Sequence, residues 1–465
     1  MNLYKKTLLN GFIKLAASLA LLAIVAGIHV SSYADYDIPS YLRIGLFYGA
    51  NEKNEVNLSS ENGFFFGTYS GTDFNQKKSS AETEITVKFT DNSIVVSANG
   101  TDVYKTDDPE KGLGVFPTVG GMERRLKVDG IEYRGGLDFK RVNDHNVITN
   151  VVFMNNYLYG VISREMSPSW APEALKAQAV CARNYAVNNL NKHSEYGFDL
   201  CCNVCCQAYS GTRYETENSY APVDDTANQL LTYKGEPAQL YYSASAGSRT
   251  EDVKNVWGNS VPYLVSVDNS YEDTANIPNG VWAGSLSRDE ATTIMRNKGY
   301  DIGTVNSIRV LETTETGRVL KLEVSGTRGS KIFEREACRT VFNTVTKSQQ
   351  FKVTGNGGSQ SVPSIHTTDG NNNSELKINE VVILTADGRS TLSSKSLFAT
   401  NGVNRKQYDI TEGSGENTEF VFEGIGWGHG IGMSQYGAKG MAEAGFNYVD
   451  ILLHYFPGTN LENAY

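Results

Sequence analysis

No run of lysine and arginine long enough to mark a basic patch occurs in this 465-residue chain, and 52 acidic residues outnumber 42 basic ones for a formal charge of −10. That balance argues against nucleic acid as a partner, because holding phosphates needs a dense basic surface. No internal repeat is visible either. Charged residues make up only 20% of the chain against 40% hydrophobic ones, a balance that excludes a disordered chain. At this length there is room for two or more packed domains. Tyrosine is abundant: 26 flat rings with a polar tip suit sugar-stacking surfaces as well as cores.

No acidic residue precedes Asp35, whereas Lys5, Lys6 and Lys14 surround the start of an apolar stretch, Leu15 to Ile28. This is the layout of a secretory signal or a signal anchor. Counted from Leu8, about 20 residues could span a bilayer, with Lys14 snorkelling to the interface. Ser32 and Ala34 offer a competing cleavage site. The basic residues predict that this end stays in the cytoplasm and the remainder is exported. Residues 1–34 are therefore expected to be a membrane anchor, or a signal removed after Ala34.

The segments 41–46, 63–68, 84–89 and 93–98 read as strands, the last two flanking an Asp91-Asn92 hairpin signal. Residues 35–140 thus form a β-rich part without obvious chemistry. From Asn155 to Met166 the period becomes helical, Pro168 breaks the helix, and Pro172 opens another running towards Lys192. Residues 228–351 mix short strands and helices, and the Gly/Ser/Asn-rich stretch 355–374 reads as a flexible loop. A strand at 419–425 leads into the glycine-rich block Gly426–Met441. The expected fold class is α+β, with mixed sheets around a catalytic helical segment in a domain covering 141–465.

Glu165 lies seven residues after Leu158, on the helix face shared with Val161 and Ile162. A carboxylic acid on an apolar face is desolvated, which favours its protonated form and suits a general acid. A helix-end Glu paired with a Lys or Arg is the bland alternative.

Four blocks, in this order, resemble the SpoIID/LytB family of cell-wall proteins: YLYGVISREMSPSWAPEALKAQAVCARNYAV, QAYSG at 207–211, YYSASAGSRTEDVKNVWG at 241–258, and GWGHGIGMSQYGAKGMAEAGFNYVDILLHYFPGT near the end. The resemblance implies a lytic transglycosylase acting on peptidoglycan glycan strands, preferably stripped of stem peptides, with Glu165 of the Glu-Met motif as catalytic acid. It further implies substrate contacts from Arg183, Gln207, Tyr209, Ser245, Glu251, His429, Gln435 and Tyr436. The chain departs from the family at Ala246-Gly247, where two glycines are usual. Amidase enhancers share these motifs, so a glycan-binding stimulator of an N-acetylmuramoyl-L-alanine amidase is the rival reading. A hydrolase is a third, with Glu173 or Glu251 as its second carboxylate.

Four of the six cysteines fall in CCNVCC, residues 201–206, with His193 upstream. A Cys-x-x-Cys spacing with a nearby His is ordinary zinc geometry. Resemblance to zinc-binding relatives points to His193, Cys201 and Cys206 and to a structural ion. Here His193 stands farther from Cys201 than in those relatives, Cys202 and Cys205 are additional, and an all-cysteine set or disulfides are alternatives. The Gly426–Gly432 run only loosely matches G-x-G-x-x-G and lacks the βαβ context of a nucleotide site.

Overall fold

A computed structural model describes residues 38–118, 124–354 and 419–464, together with the strand Tyr33–Ala34 and six short strands between Ser364 and Asp409. The expected anchor lies almost wholly outside the described residues, and none of their helices is long and apolar enough to cross a membrane. The fold is α+β, with several sheets and few helices. The chain divides into two units, one formed by residues up to 169, 178–239 and 459 onward, the other by 170–177 and 240–458.

Besides a four-stranded sheet of Tyr33–Ala34, Asn460–Ala464, Gln229–Tyr233 and Glu236–Pro237, the described residues of the first unit form two larger ones. One has seven strands in the order Leu200–Cys201, Tyr41–Phe47, His145–Phe153, Gly136–Val142, Leu113–Pro117, Phe64–Ser70 and Asp73–Ser80. The other has six, including Glu84–Phe89 and Ile94–Ala98, whose alternation places every second side chain inside. Their inner faces share a core, with Phe89 on Phe139 at 6.2 Å and Tyr104 stacked on Phe66 at 5.2 Å between ring centroids. The strand Gly136–Val142 of the seven-stranded sheet runs straight through residue 140, and the β-rich part falls in one unit with the residues up to 169.

The strand His145–Phe153 is buried along all but its ends. It passes directly into helix α1 (Met154–Glu165), matching the helical period, with Tyr157, Leu158, Val161 and Ile162 buried. Met166 ends it in an extended conformation just before Ser167-Pro168. Helix α2 (Pro172–Asn188) follows, with Ala174, Ala177, Cys181 and Ala182 fully buried along its small-residue side. A dry ion pair ties the sheets to the loop beyond: Arg134 meets Glu215 at 2.8 Å, with side chains 2% and 3% exposed. The guanidinium also donates to the Tyr220 hydroxyl and lies against the rings of Tyr159 and Tyr220.

In the second unit, Val281–Ser287, Glu419–Ile425 and Phe351–Thr354 make one three-stranded sheet, and Val305–Thr313, Val319–Gly326 and Gly329–Glu334 another. Helix Arg288–Asn297, started by a Ser287–Glu290 capping box, packs Ala291 and Met295 into a core with Leu322, Phe342 and Phe422. Within the expected loop 355–374, strand Ser364–Thr368 pairs antiparallel with Asn373–Lys377, and the other positions of that stretch lie outside the described residues.

Replacing Glu215 by Gln leaves the Arg134 charge buried without its counter-ion. Stability should fall by about 3–5 kcal/mol, read as a lower urea midpoint with unchanged slope.

Candidate functional site

Glu165 is the last residue of α1 and is half-buried. Its Oε1 accepts the backbone N–H of Ala208 at 3.3 Å. That amide is held in place by its neighbours. Gln207 donates from Nε2 to the Tyr157 hydroxyl and to the Ala182 carbonyl, each at 3.3 Å. Tyr209 donates to Asn150 Oδ1 at 2.9 Å, and Asn150 in turn donates to the carbonyls of Arg134 and Gly136. Close approach of α1 to this loop requires Gly160, where a Cβ would lie 2.7 Å from the Tyr209 ring. The turn after Tyr209 requires Gly211, at φ +60 and with space for a Cβ only 2.0 Å from the Glu132 carbonyl oxygen.

Three of the residues expected at the site are buried here. Gln207 is 2% exposed, Tyr209 4% and Arg183 1%. Arg183 donates to the carbonyls of Val223 and Gln229, and burial pulls its pKa down to about 10. The hydrogen bonds of all three run inside the first unit, where they brace α1, α2 and the loop.

The cysteine block is adjacent in sequence to that loop. His193, Cys201, Cys205 and Cys206 bring one ligand atom each within 4.8 Å of all the others. One imidazole and three thiols are donor types that suit a thiophilic divalent cation, although the Cys201 and Cys205 sulfurs stand 2.7 Å apart, closer than the roughly 3.5–4 Å between ligands of a tetrahedral ion. The long His193–Cys201 spacing is absorbed by a 3-10 turn at Ser194–Tyr196 closed by Gly197 in the left-handed region, which returns Phe198 alongside His193. His193 Nε2 then lies 3.4 Å from Cys206 and 3.8 Å from Cys205, while Nδ1 lies 3.6 Å from a Glu195 carboxylate oxygen. Such a carboxylate–imidazole pair orients a ligating ring.

Hydrogen bonds from Cys206 and Cys205 hold the Cys201 thiol far below its ordinary value, at about 4. The shared charge pushes Cys206 upward. Cys202 points away, towards the Leu46 carbonyl, and burial raises its pKa to about 11. The expected three ligands are thus together, and Cys205 is a fourth that the resemblance did not supply. Cys181 and Cys338 are buried, as expected of thiols that pack.

The remaining expected contacts belong to the second unit. Ser245 is 1% exposed and donates to Glu272, a carboxylate that the sequence reading missed. Glu272 also accepts the amides of Ala246 and Gly247, Asn269 Nδ2, and the hydroxyls of Thr274 and Ser434. No local pattern marks it, since one donor stands 162 positions away. Glu251, 1% exposed, accepts from Asn255, from its neighbour's amide at Asp252, and from the hydroxyls of Thr314 and Thr316. Glu173 pairs with Lys176 and accepts the Tyr448 amide. Gln435 is buried at the start of helix Gln435–Glu443, and Tyr436 packs against Trp170 at 4.8 Å.

His429 sits beside the packed pair Trp257 and Tyr241, at 5.2 and 6.4 Å, half-buried, its Nδ1 accepting the Ile431 amide at 3.0 Å. Desolvation, aided by Arg339, lowers its pKa to about 4. The imidazole is therefore neutral at physiological pH, with Nδ1 as acceptor, and cannot serve as a general acid there.

Comparison with known proteins adds an independent line. The sequence profile of the stage II sporulation protein family (SpoIID) matches residues 143–233, the stretch holding α1, α2, QAYSG and all four candidate ligands. A second profile, of a domain of unknown function, matches residues 281–371. An uncharacterized protein of Brachyspira hyodysenteriae is 28% identical over 82% of this chain and 83% of its own length. The amidase enhancer of Bacillus subtilis is 30% identical over 75% of this chain but only 46% of its own length. Stage II sporulation protein D of Bacillus subtilis is 24% identical over 67% of this chain and 75% of its own.

The neutral His429 makes a pH prediction. Its folded pKa, about 4, lies below the unfolded 6.5, so the unfolded chain takes the proton first. Stability should decline as pH falls through that interval and level off below it. His429→Gln should flatten this part of the melting-temperature profile.

Proposed function

Because this chain belongs to the SpoIID/LytB family, we propose that it is a peptidoglycan lytic transglycosylase with Glu165 as its catalytic acid. Glu165 would protonate the bridging oxygen as the bond from N-acetylmuramic acid breaks. Its carboxylate would then take the proton of the C6 hydroxyl of that sugar, and closure of the oxygen onto C1 would leave a 1,6-anhydro end. The observation that carries this reading is the half-buried Glu165 at a helix end with one backbone donor, Ala208, aimed at it. Such a donor stabilises the carboxylate formed when the proton leaves, without a second acid being needed. The hydrolytic reading loses support because Glu173 and Glu251, its candidate second carboxylates, are engaged internally.

The His/Cys cluster suits a structural zinc ion held by His193, Cys201, Cys205 and Cys206. Four protein ligands would leave no open position, so the ion would brace the 193–206 segment and supply no chemistry to ring closure. We place the protein on the outer face of the cytoplasmic membrane, tethered by its N-terminal segment or released by cleavage after Ala34. Its partners there would be glycan strands, and with them a cell-wall amidase and membrane proteins, in sporulation and engulfment or in wall remodelling. The 30% identity to an amidase enhancer favours one second reading, a glycan binder that stimulates an amidase without cutting.

The test uses purified protein and glycan strands stripped of peptides by an amidase, with products read by mass spectrometry. Wild type should yield 1,6-anhydro-N-acetylmuramic acid ends, and Glu165→Gln should lose at least ~100-fold in rate, the scale of general-acid catalysis. Intact strands with both proteins, despite binding, would favour the enhancer reading.

A further inference from the structure

The profile of unknown function begins at Val281. Its described residues reach, within the second unit, the segment 246–257 at three places. Arg318, 1% exposed, donates to the Ala246 carbonyl at 2.8 Å and twice to that of Arg249 at 3.2 Å. The hydroxyls of Thr314 and Thr316 donate to the buried Glu251 carboxylate. Arg335 donates from Nε to the Lys254 carbonyl at 3.3 Å. Its backbone stands at φ 56, ψ −132, a conformation that a β-carbon disfavours. Strain of this kind persists only where the surroundings fix it, and it gathers at working parts of a structure. On the opposite side, Gly430 at φ +72 leaves room for Arg318, since a Cβ there would meet Nη2 at 2.5 Å.

These bonds fix a segment that carries an exposed aromatic outward. Trp257 is 40% exposed, with its ring edge-on to Tyr241 at 4.6 Å and beside the neutral His429 at 5.2 Å. A large apolar ring held from behind and bare in front costs little entropy on binding, because it is ordered beforehand. Internal packing does not account for that exposure. A flat ring of this kind suits the apolar face of a hexosamine.

We propose that residues 281–351 are a positioning module that presets the segment 246–257, with Trp257 as a sugar-stacking subsite for N-acetylated hexosamine chains. The subsite rests on the glycan reading above, whereas the positioning role does not.

Two measurements on the full chain separate them: calorimetric affinity for a β-1,4-linked N-acetylglucosamine hexamer, and amide exchange of residues 246–257. The Thr314→Val/Thr316→Val pair should weaken hexamer binding at least ~10-fold and speed exchange in that segment, since a buried carboxylate loses two donors. The corresponding serine pair should restore both. Trp257→Ala should weaken binding to a similar extent, ~10-fold or more, without altering exchange. Wild-type exchange in the valine pair, or failure of the serine pair to rescue, would overturn the positioning role. Undiminished hexamer binding by Trp257→Ala would overturn the subsite alone and leave the cleavage test of Glu165 standing. If wild type ignores the hexamer, the subsite falls with the glycan reading, and exchange still decides the module.

Discussion

One backbone N–H, that of Ala208, is held against the Glu165 carboxylate by side chains that barely reach solvent. A loop has no regular hydrogen-bond ladder to fix its amides, so side chains must do so. Here Gln207 ties the loop to α1 and α2, and Tyr209 ties it to the buried strand through Asn150. Arg134 and Glu215 close the far end with a desolvated pair. Each of these groups would be costly to bury alone, and each is tolerated because another satisfies it. The His/Cys cluster ends at Cys206, one residue before this network begins. A bound ion would therefore fix the chain on one side of Ala208, and the tyrosine network fixes it on the other.

The second unit uses the same physics with different groups. Its buried carboxylates, Glu251 and Glu272, gather hydroxyls and amides from distant segments. Glu272 sets the Ser245–Gly247 backbone, and Glu251 receives hydroxyls from the matched domain of unknown function. What these acids supply is order in the loops, and Trp257 is left with an outward face.

Much of this was legible beforehand. The helix at 155–166 followed from its period, its end from Pro168, and the paired strands around Asp91-Asn92 from alternation and turn chemistry. The clustering of His193, Cys201 and Cys206 was readable from family likeness. Membership of Cys205 was not, because it depends on how the Gly197 turn swings the histidine back. Motif residues proved harder to interpret than to find. Arg183, Gln207, Tyr209, Ser245 and Glu251 stand in distinctive blocks, yet their side chains are buried. A motif does not distinguish a residue that touches a ligand from one that fixes the backbone beside it. Glu272 left no mark in the sequence because its donors meet only after folding.

The account makes the segment from His193 to Gly211 a single brace for the Ala208 amide. The most direct test is amide exchange of residues 207–211 by mass spectrometry, with zinc bound and after chelation. If the cluster holds the ion proposed, protection there should be at least ~10-fold lower, about 1.4 kcal/mol of local opening, in chelator-treated protein than in protein supplied with zinc, while the strand His145–Phe153 stays protected. Equal protection in both states would show that the cluster does not set the loop, and would contradict the account at its centre.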